Sequence, residues 1–594
     1  MLLLFRQDNK LTKYYIGLSI TYHDPALAIV DAQGEVLFAE AAERYMQNKR
    51  ALNCEADPLL RVKDLLEQYC PSPDHFVIAI NWHKKRPLYE NVVAALGCLT
   101  ASGLLKQGIK KLNSPLSNYQ LHHMIASQRN KIVSAGINLV RIIAEHYPNC
   151  SLSFADYDHH LTHAASAFFS SPFEESACAV IDSFGENGSM AFYHFKNQQL
   201  KCLYESRGTG SLGFYYMKVT ELCGFDWLKG EEWKVMGLAP YGKLNQQLYE
   251  TLKNTISVQG FVCQHHSKHL FSSIKALEKC KRYQQDPIEL AADLAYTGQY
   301  FFVELMTKLL QHLQQESGNK NLALAGGCAL NSAFNGQIKS RTGFEQVFVP
   351  SAPADDGTAL GAAWLALRED QSASANLNAP RKLLSPYLGS TVSNAAVRRL
   401  IKYNRALDIQ HLPDEICQIT AELLAKGQLI GWIQGRAEYG PRALGNRSIL
   451  ADPRQASTKD DINQKIKFRE SFRPFAPSVL HEHADKYFED YQESPYMDKT
   501  LRIREEMQEQ VAAVCHVDET GRLQTVKSEW NPRFYSLINC FYKQTQMPML
   551  LNTSFNVMGK PLVHSLEDAI SVFLTTGLDA LVVNDYLICK PRND

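Results

Sequence analysis

The sequence predicts a two-part α/β protein whose first part is duplicated around a ligand cleft. Three observations carry this. Hairpin-type strands near 15–39 and again near 177–195 are each followed by strand–helix alternation. A polar stretch at 368–382 then interrupts the pattern with no apolar period. Beyond it, a second α/β unit carries its own glycine- and arginine-rich motifs. At 594 residues the chain is too long for one core. The expected boundaries are 1–370, a linker at 371–382, and 383–594.

Residues 15–30 read as strand, tight turn and strand, with Tyr22-His23-Asp24-Pro25 at the turn. Gly34 closes a second turn and 35–39 returns as a strand. Helical spacing marks 59–70 and 132–146. Between them, 84–130 reads as a helical insertion whose Lys84, Lys85, Arg86, Lys106, Lys110 and Lys111 form a solvated face. Strands at 177–182 and 190–195 pair around the loop 185–188, and 288–315 is a long helix by periodicity. A strand at 321–325 ends in Gly326-Gly327. Another at 346–349 precedes the turn Asp355-Asp356-Gly357 and a helix through Leu367.

Composition narrows the function. The 62 basic and 62 acidic residues balance, which argues against general nucleic-acid binding. The 14 cysteines include no C-x-x-C pair and read as thiols of a reducing compartment. The N-terminus lacks the pattern of a secretory signal, and no run is apolar enough to span a membrane. A cytoplasmic protein with no nucleic-acid or membrane partner is therefore expected, its oligomeric state open between monomer and homodimer.

The chemistry-bearing residues fall into two groups. His159 and His163 stand one helical turn apart and project from one face. Such a pair alone is ordinarily metal-free. Asp182, at the end of a buried strand, and one of Asp355 and Asp356 shift the reading towards four ligands for one ion. Two imidazoles and two carboxylates suit Fe(II), Mn(II) or Zn(II). Gly326, Gly327 and Asn331 follow an apolar strand and open a helix, a place where backbone approaches phosphate. In 232–240 a charge pair meets a tight turn, and Lys234 is placed to meet a phosphate.

The second group lies in the second unit. The run 435–448 carries Arg436, Arg442 and Arg447, and 465–477 adds Lys467, Arg469 and Arg473. Guanidinium forks pair with phosphate oxygens. Nearby Glu438, Asp452 and Glu470 suggest a charge-balanced pocket for a small phosphorylated ligand, which His516-Val517-Asp518 and the run 552–556 would complete.

These residues resemble the O-carbamoyltransferase family that includes the nodulation, cephamycin and tobramycin carbamoyltransferases, with a saxitoxin-pathway type among the candidates. The likeness runs from the His23 turn to Asn556, and the runs 435–452 and 469–477 are its most specific parts. It implies an N-terminal domain of the actin/sugar-kinase type, similar to the tRNA threonylcarbamoyl-transfer protein. It also implies a C-terminal domain similar to the enzyme that makes threonylcarbamoyl-adenylate. By the same resemblance, ATP and carbamoyl phosphate, with Mg(II), give carbamoyl-adenylate in the C-terminal domain, at Arg442, Lys467, Arg473, Arg522, Asn552 and Ser554. The N-terminal domain would bind that adenylate at an iron centre held by His159, His163, Asp182 and Asp355, and also with Lys234, Gly326, Gly327 and Asn331. His23 is the implied general base at an acceptor hydroxyl, a task that suits an imidazole near neutral pKa. The acceptor class implied is a small natural product, an antibiotic or saxitoxin-type alkaloid. A chitin-oligosaccharide signal and a tRNA-modifying role are the alternatives. Trp233 stands where the family pattern Glu-Gly-Lys-Val-Met-Gly-Leu-Ala has glycine.

Overall fold

The computed structural model describes residues 12–84, 127–371 and 383–591, apart from 198, 209, 267 and 405. The linker expected at 371–382, except Gln371, and most of the insertion expected at 84–130 lie outside the described residues.

Strands β1 (Lys13–Ser19), β2 (Ala26–Asp31) and β3 (Val36–Ala41) form an antiparallel meander. β4 (His75–Ile80) and β5 (Ser151–Asp156) continue the sheet in parallel from the other side of β1. The second sheet repeats the plan. β6 (Ser176–Ile181), β7 (Met190–Lys196) and β8 (Gln199–Glu205) form the meander. After a small hairpin, β9 (Ile256–Gln259) and β10 (Val262–His265), the parallel strands β11 (Asn321–Ala325) and β12 (Gln346–Phe348) extend from β6. The orders β3-β2-β1-β4-β5 and β8-β7-β6-β11-β12 are one topology used twice, so the duplication expected from the sequence is real.

Helices α1 (Leu59–Tyr69) and α2 (Ile137–His146) pack on each other beside the first sheet. α3 (His159–Ser170) lies on β6, β7 and β11 of the second sheet. Further along come α4 (Glu232–Leu238), α5 (Ala292–Ser317) and α6 (Thr358–Gln371). α6 lies on β1, β2 and β4, and it packs against α3 between the two sheets. That crossing needs glycine, because a Cβ on Gly361 would sit 1.9 Å from the Thr162 carbonyl oxygen. It brings the start of α6 over the first turn of α3.

In the C-terminal part, β13 (Tyr387–Thr391) pairs with β16 (Arg436–Glu438). The main sheet is mixed and nine-stranded, built from β14 (Asp408–His411), β15 (Ile430–Ile433), β17 (Arg447–Ala451), β18 (Ala476–Leu480), β19 (Lys499–Arg502), β20 (Thr520–Val526), β21 (Met549–Ser554), β22 (Ala580–Val583) and β23 (Tyr586–Cys589). The apolar strands β15 and β22, buried throughout, run parallel in its interior. Fully buried Trp432 anchors the core and donates its indole N–H to Gly445 at 2.9 Å.

The two parts are bonded together. Glu40 accepts from the Ser390 amide and hydroxyl at 2.9 and 2.8 Å. Arg436 donates to the Leu37 carbonyl at 2.7 Å, and Arg44 donates to the Gly440 carbonyl. Gly440, at φ 113, passes so close to the first part that a Cβ would lie 2.0 Å from Ser351 O.

Several local expectations change. Gly136, at φ 77, breaks the helix expected over 132–146. The tight turn expected in 232–240 is helix α4, continued by a 3-10 turn at Ala239–Tyr241. Gly327 opens only a 3-10 turn, Gly327–Leu330, and a four-residue helix, too short to offer phosphate a full helix terminus. None of the described helices is long and apolar enough to cross a membrane, and the described cysteines are all free.

Candidate active site

Asp158 caps α3 by accepting the Leu161 amide at 3.0 Å. This fixes the first turn, so His159 and His163 face one point, both 1 % exposed. Asp182 follows the end of β6, and Asp355 stands in the 3-10 turn that opens α6. Asp182 Oδ2 lies 3.4 Å from His159 Nε2 and 3.6 Å from His163 Nε2. Asp355 Oδ1 lies 3.6 and 3.4 Å from the same two atoms. An ion with tetrahedral bonds of about 2.1 Å has ligand–ligand edges of roughly 3.4 Å. His163 Nε2 is buried with no hydrogen-bond partner, so an atom that should not be orphaned points into the centre of the cluster. The four residues fit a divalent metal. Asp356 lies outside the cluster and accepts the Gly357 amide at 3.1 Å. Burial, then Asp24, Glu43 and Asp355, push its carboxyl up to about 7.

A ring of contacts supports the cluster. The Gly327 amide donates to Asp182 Oδ1 at 3.2 Å. His23 Nδ1 is 3.0 Å from Asp24 Oδ2 and 3.4 Å from Asp355 Oδ2. Arg50 holds Asp24 in turn at 3.0 Å. Burial and Arg50 lower the His23 pKa, but Asp355 and Asp24 outweigh them and the net direction is up. Burial raises and Arg50 lowers the Asp24 carboxyl, and the net result is well below the usual range.

His23, Asp24, Asp182 and Asp355 line a cavity of about 1790 Å³ that runs between the two parts of the chain. Arg442, Lys467, Arg469, Arg473, Arg522, Asn552 and Ser554 line the same cavity. Lys467 Nζ donates to Ser554 Oγ at 3.2 Å and Asn556 Oδ1 at 2.8 Å. Arg522 Nε donates to Ser332 Oγ at 2.9 Å. Burial alone pulls the Arg442 guanidinium down to about 10. Burial, and then Arg442, lower Arg522 well below its ordinary value. Burial, then Arg469 and Arg473, do the same to Lys467. Asn552 spends its amide N–H groups on Ala443 O, Ser478 Oγ and Gln524 Oε1, while its own Oδ1 is buried without a partner. Desolvated cations pressed together in this way favour an anion between them.

Other expected residues sit differently. Arg447 is fully buried and brackets the carbonyls of Gln434, Asn446, Ser390 and Gly435, and Arg436 bonds backbone as well. Only Arg442 of that run offers its fork to the cavity. Two of the three acidic residues expected beside these cations lie off the cavity. Glu438 caps the amides of Leu444, Asn446 and Arg447, and Asp452 pairs with Arg454 at 2.6 Å. Glu470 alone of the three lines the cavity, and it pairs with Lys234 at 3.0 Å. Asn331 lines the cavity but spends its side chain on the Phe334 amide and on Gln299. Gly326 does not line it; a Cβ there would strike Ile181 O at 2.3 Å. Sequence reasoning missed Asp24 and Arg50. The signal for Asp24 was its place beside His23 in the turn; that for Arg50 lies only in the fold.

The family description "Carbamoyltransferase N-terminus" matches residues 14–364, and "Carbamoyltransferase C-terminus" matches 421–590. The nodulation protein NolNO of Sinorhizobium fredii is 41% identical over 446 residues, which cover 73% of this chain and 63% of that protein. NolO of Bradyrhizobium diazoefficiens is 39% identical, over 73% of this chain and 79% of its own length. The 3'-hydroxymethylcephem-O-carbamoyltransferase of Amycolatopsis lactamdurans is 35% identical over 44% of this chain and 48% of that enzyme. Among solved structures, full-length HypF in a phosphate- and nucleotide-bound form superposes at a TM-score of 0.36 and 12% identity, over 62% of this chain and 56% of that one. That likeness is too weak to add to the topology above. On the matched halves and these relatives, the chain belongs to the carbamoyltransferase family.

Proposed function

We propose that the protein is an O-carbamoyltransferase that works in two steps inside one cavity. In the first, water cleaves carbamoyl phosphate to carbamate and phosphate, and the carbamate oxygen attacks the α-phosphorus of ATP, so that carbamoyl-adenylate forms as pyrophosphate leaves. In the second, the carbamoyl group passes to a hydroxyl of a small natural product. The observation that carries this reading is the continuity of the cavity, with cations at one end and the His/Asp cluster at the other. A labile adenylate could cross it without meeting bulk water.

Arg442, Arg522 and Lys467 would neutralise the phosphates and orient the nucleotide for attack. Arg473, close to Glu470 at 3.5 Å, would join them. At the other end, His23 Nδ1–H donates to Asp24, which leaves Nε2 free to take a proton. The acceptor oxygen would bond to the carbamoyl carbon as its proton moves to His23 Nε2, and the bond to the adenylate oxygen breaks to free AMP. Asp24, held by Arg50, would stabilise the imidazolium that forms. His159, His163, Asp182 and Asp355 would hold a divalent metal, which would supply Lewis-acid polarisation of the carbamoyl carbonyl. Fe(II) is the ion proposed, with Mg(II) accompanying ATP.

For the acceptor, an antibiotic or saxitoxin-type hydroxyl is the class we put forward, with support from the cephem carbamoyltransferase among the relatives. A chitin-oligosaccharide signal is the second class, with support from the nodulation proteins. The test is incubation with ATP, carbamoyl phosphate and a panel of both classes, read by mass spectrometry for a gain of one carbamoyl group. A protein that consumes both co-substrates and carbamoylates neither class would overturn the acceptor assignment.

A further inference from the structure

The anion site of the C-terminal part is not built by that part alone. Helix α4 belongs to the N-terminal part, and its residue Trp233 faces the cavity. The Arg473 guanidinium lies 3.8 Å from the centre of the Trp233 ring. Arg473 has little else to hold it. Its Nε is buried with no hydrogen-bond partner, and its Nη1 reaches Glu470 only at 3.5 Å. Glu470 is itself shared with Lys234, the next residue of α4, at 3.0 Å. The same Lys234 ammonium also pairs with Glu231 at 2.9 Å. Two neighbouring side chains of one short helix therefore reach Arg473, one directly through an aromatic face and one through a shared carboxylate.

We propose that Trp233 is a positioning residue for Arg473, so that α4 of the N-terminal part completes the anion site of the C-terminal part. The indole face holds the planar guanidinium in one orientation and keeps its fork turned to the cavity. The glycine of the family pattern would offer no such face. One consequence is that the two steps are not separable by domain. The first step, chemically a C-terminal event, depends on a residue of the N-terminal part. The inference rests on the adenylate-forming reading for the identity of the anion, not for the contact itself.

The test uses the full chain as wild type, Trp233→Phe and Trp233→Leu. Binding of ATP and of inorganic pyrophosphate is measured by calorimetry, with pyrophosphate release at varied carbamoyl phosphate in parallel. Trp233→Leu keeps an apolar group but loses the π-face, and it is expected to weaken ATP binding about thirtyfold, the size of a desolvated cation–π contact. In the release assay the loss is expected in KM more than in kcat. Trp233→Phe should return binding to within about threefold of wild type. ATP should also change the indole emission of wild type, and most of that change should vanish in Trp233→Phe. Equal binding by wild type and Trp233→Leu, or equal damage in Phe and Leu, would overturn the proposal. Wild-type binding of ATP without carbamoyl-phosphate-dependent release would sink the adenylate reading, and the binding series would still decide the role of Trp233.

Discussion

Asp355 and His23 meet through Asp355 Oδ2 and His23 Nδ1 at 3.4 Å, while the other oxygen of Asp355 faces His159 and His163. One carboxylate thus ties the candidate metal centre to the candidate base. The acceptor hydroxyl, the proton and the carbonyl to be attacked can be gathered within one side chain's span, which is what a transfer step requires.

His159→Ala removes one of four ligands from a buried cluster. The expected result is loss of bound metal and of carbamoyl transfer, while carbamoyl-phosphate-dependent pyrophosphate release stays within about threefold of wild type. Metal analysis and the release assay on the same preparation check it. Loss of release together with transfer would count against a separate role for the cluster.

His23→Ala takes away the proton acceptor but leaves the four ligands in place. Transfer should fall by about 100-fold to 10,000-fold, the usual worth of a general base. Asp24→Asn should fall in the same direction by a smaller factor. Single-turnover transfer from supplied carbamoyl-adenylate isolates the step, and full activity of His23→Ala there would contradict the assignment.

Arg522→Ala relieves crowding with Arg442 yet removes a charge-assisted contact to the anion. ATP affinity should drop by about 10-fold to 100-fold. Calorimetry reads this directly. Tighter ATP binding by the variant would mean that the two arginines repel without a ligand between them.

Glu40 links the two parts and gives a pH dependence. Burial raises its carboxyl, but His564, Arg61 and the Ser390 amide outweigh this and bring it from 4.5 to about 2. A depressed carboxylate contributes stability that is present above its unfolded value and is lost as pH falls through the folded one. The contribution, on the order of 3 kcal/mol, should therefore be complete at neutral pH and fade between about pH 4.5 and about pH 2. Thermal unfolding of wild type and Glu40→Gln should differ at pH 7 and converge in that acid window. A gap independent of pH would show that the carboxylate charge is not what joins the parts.

The sequence made the chemistry legible where it follows local geometry. His159 and His163 share a helix face by spacing alone, and Asp182 ends an apolar strand. Two strand–turn–strand rounds announced the duplication. It could not separate Arg442 from Arg436 and Arg447, because all three sit in one glycine-rich run. Only the fold decides that Arg447 satisfies four backbone carbonyls while Arg442 opens on the cavity. Glu438 looked like a counter-charge and is a loop cap. The contact of Trp233 with Arg473 joins positions 240 residues apart in sequence, and no local pattern predicts it.

The most direct test of the whole account is pyrophosphate release from ATP by the metal-loaded protein, with and without carbamoyl phosphate and with no acceptor present. Release that depends on carbamoyl phosphate is the predicted result, since the cationic end of the cavity would form the adenylate before any acceptor is needed. Release that ignores carbamoyl phosphate, or none at all, would contradict the two-step reaction proposed for this cavity.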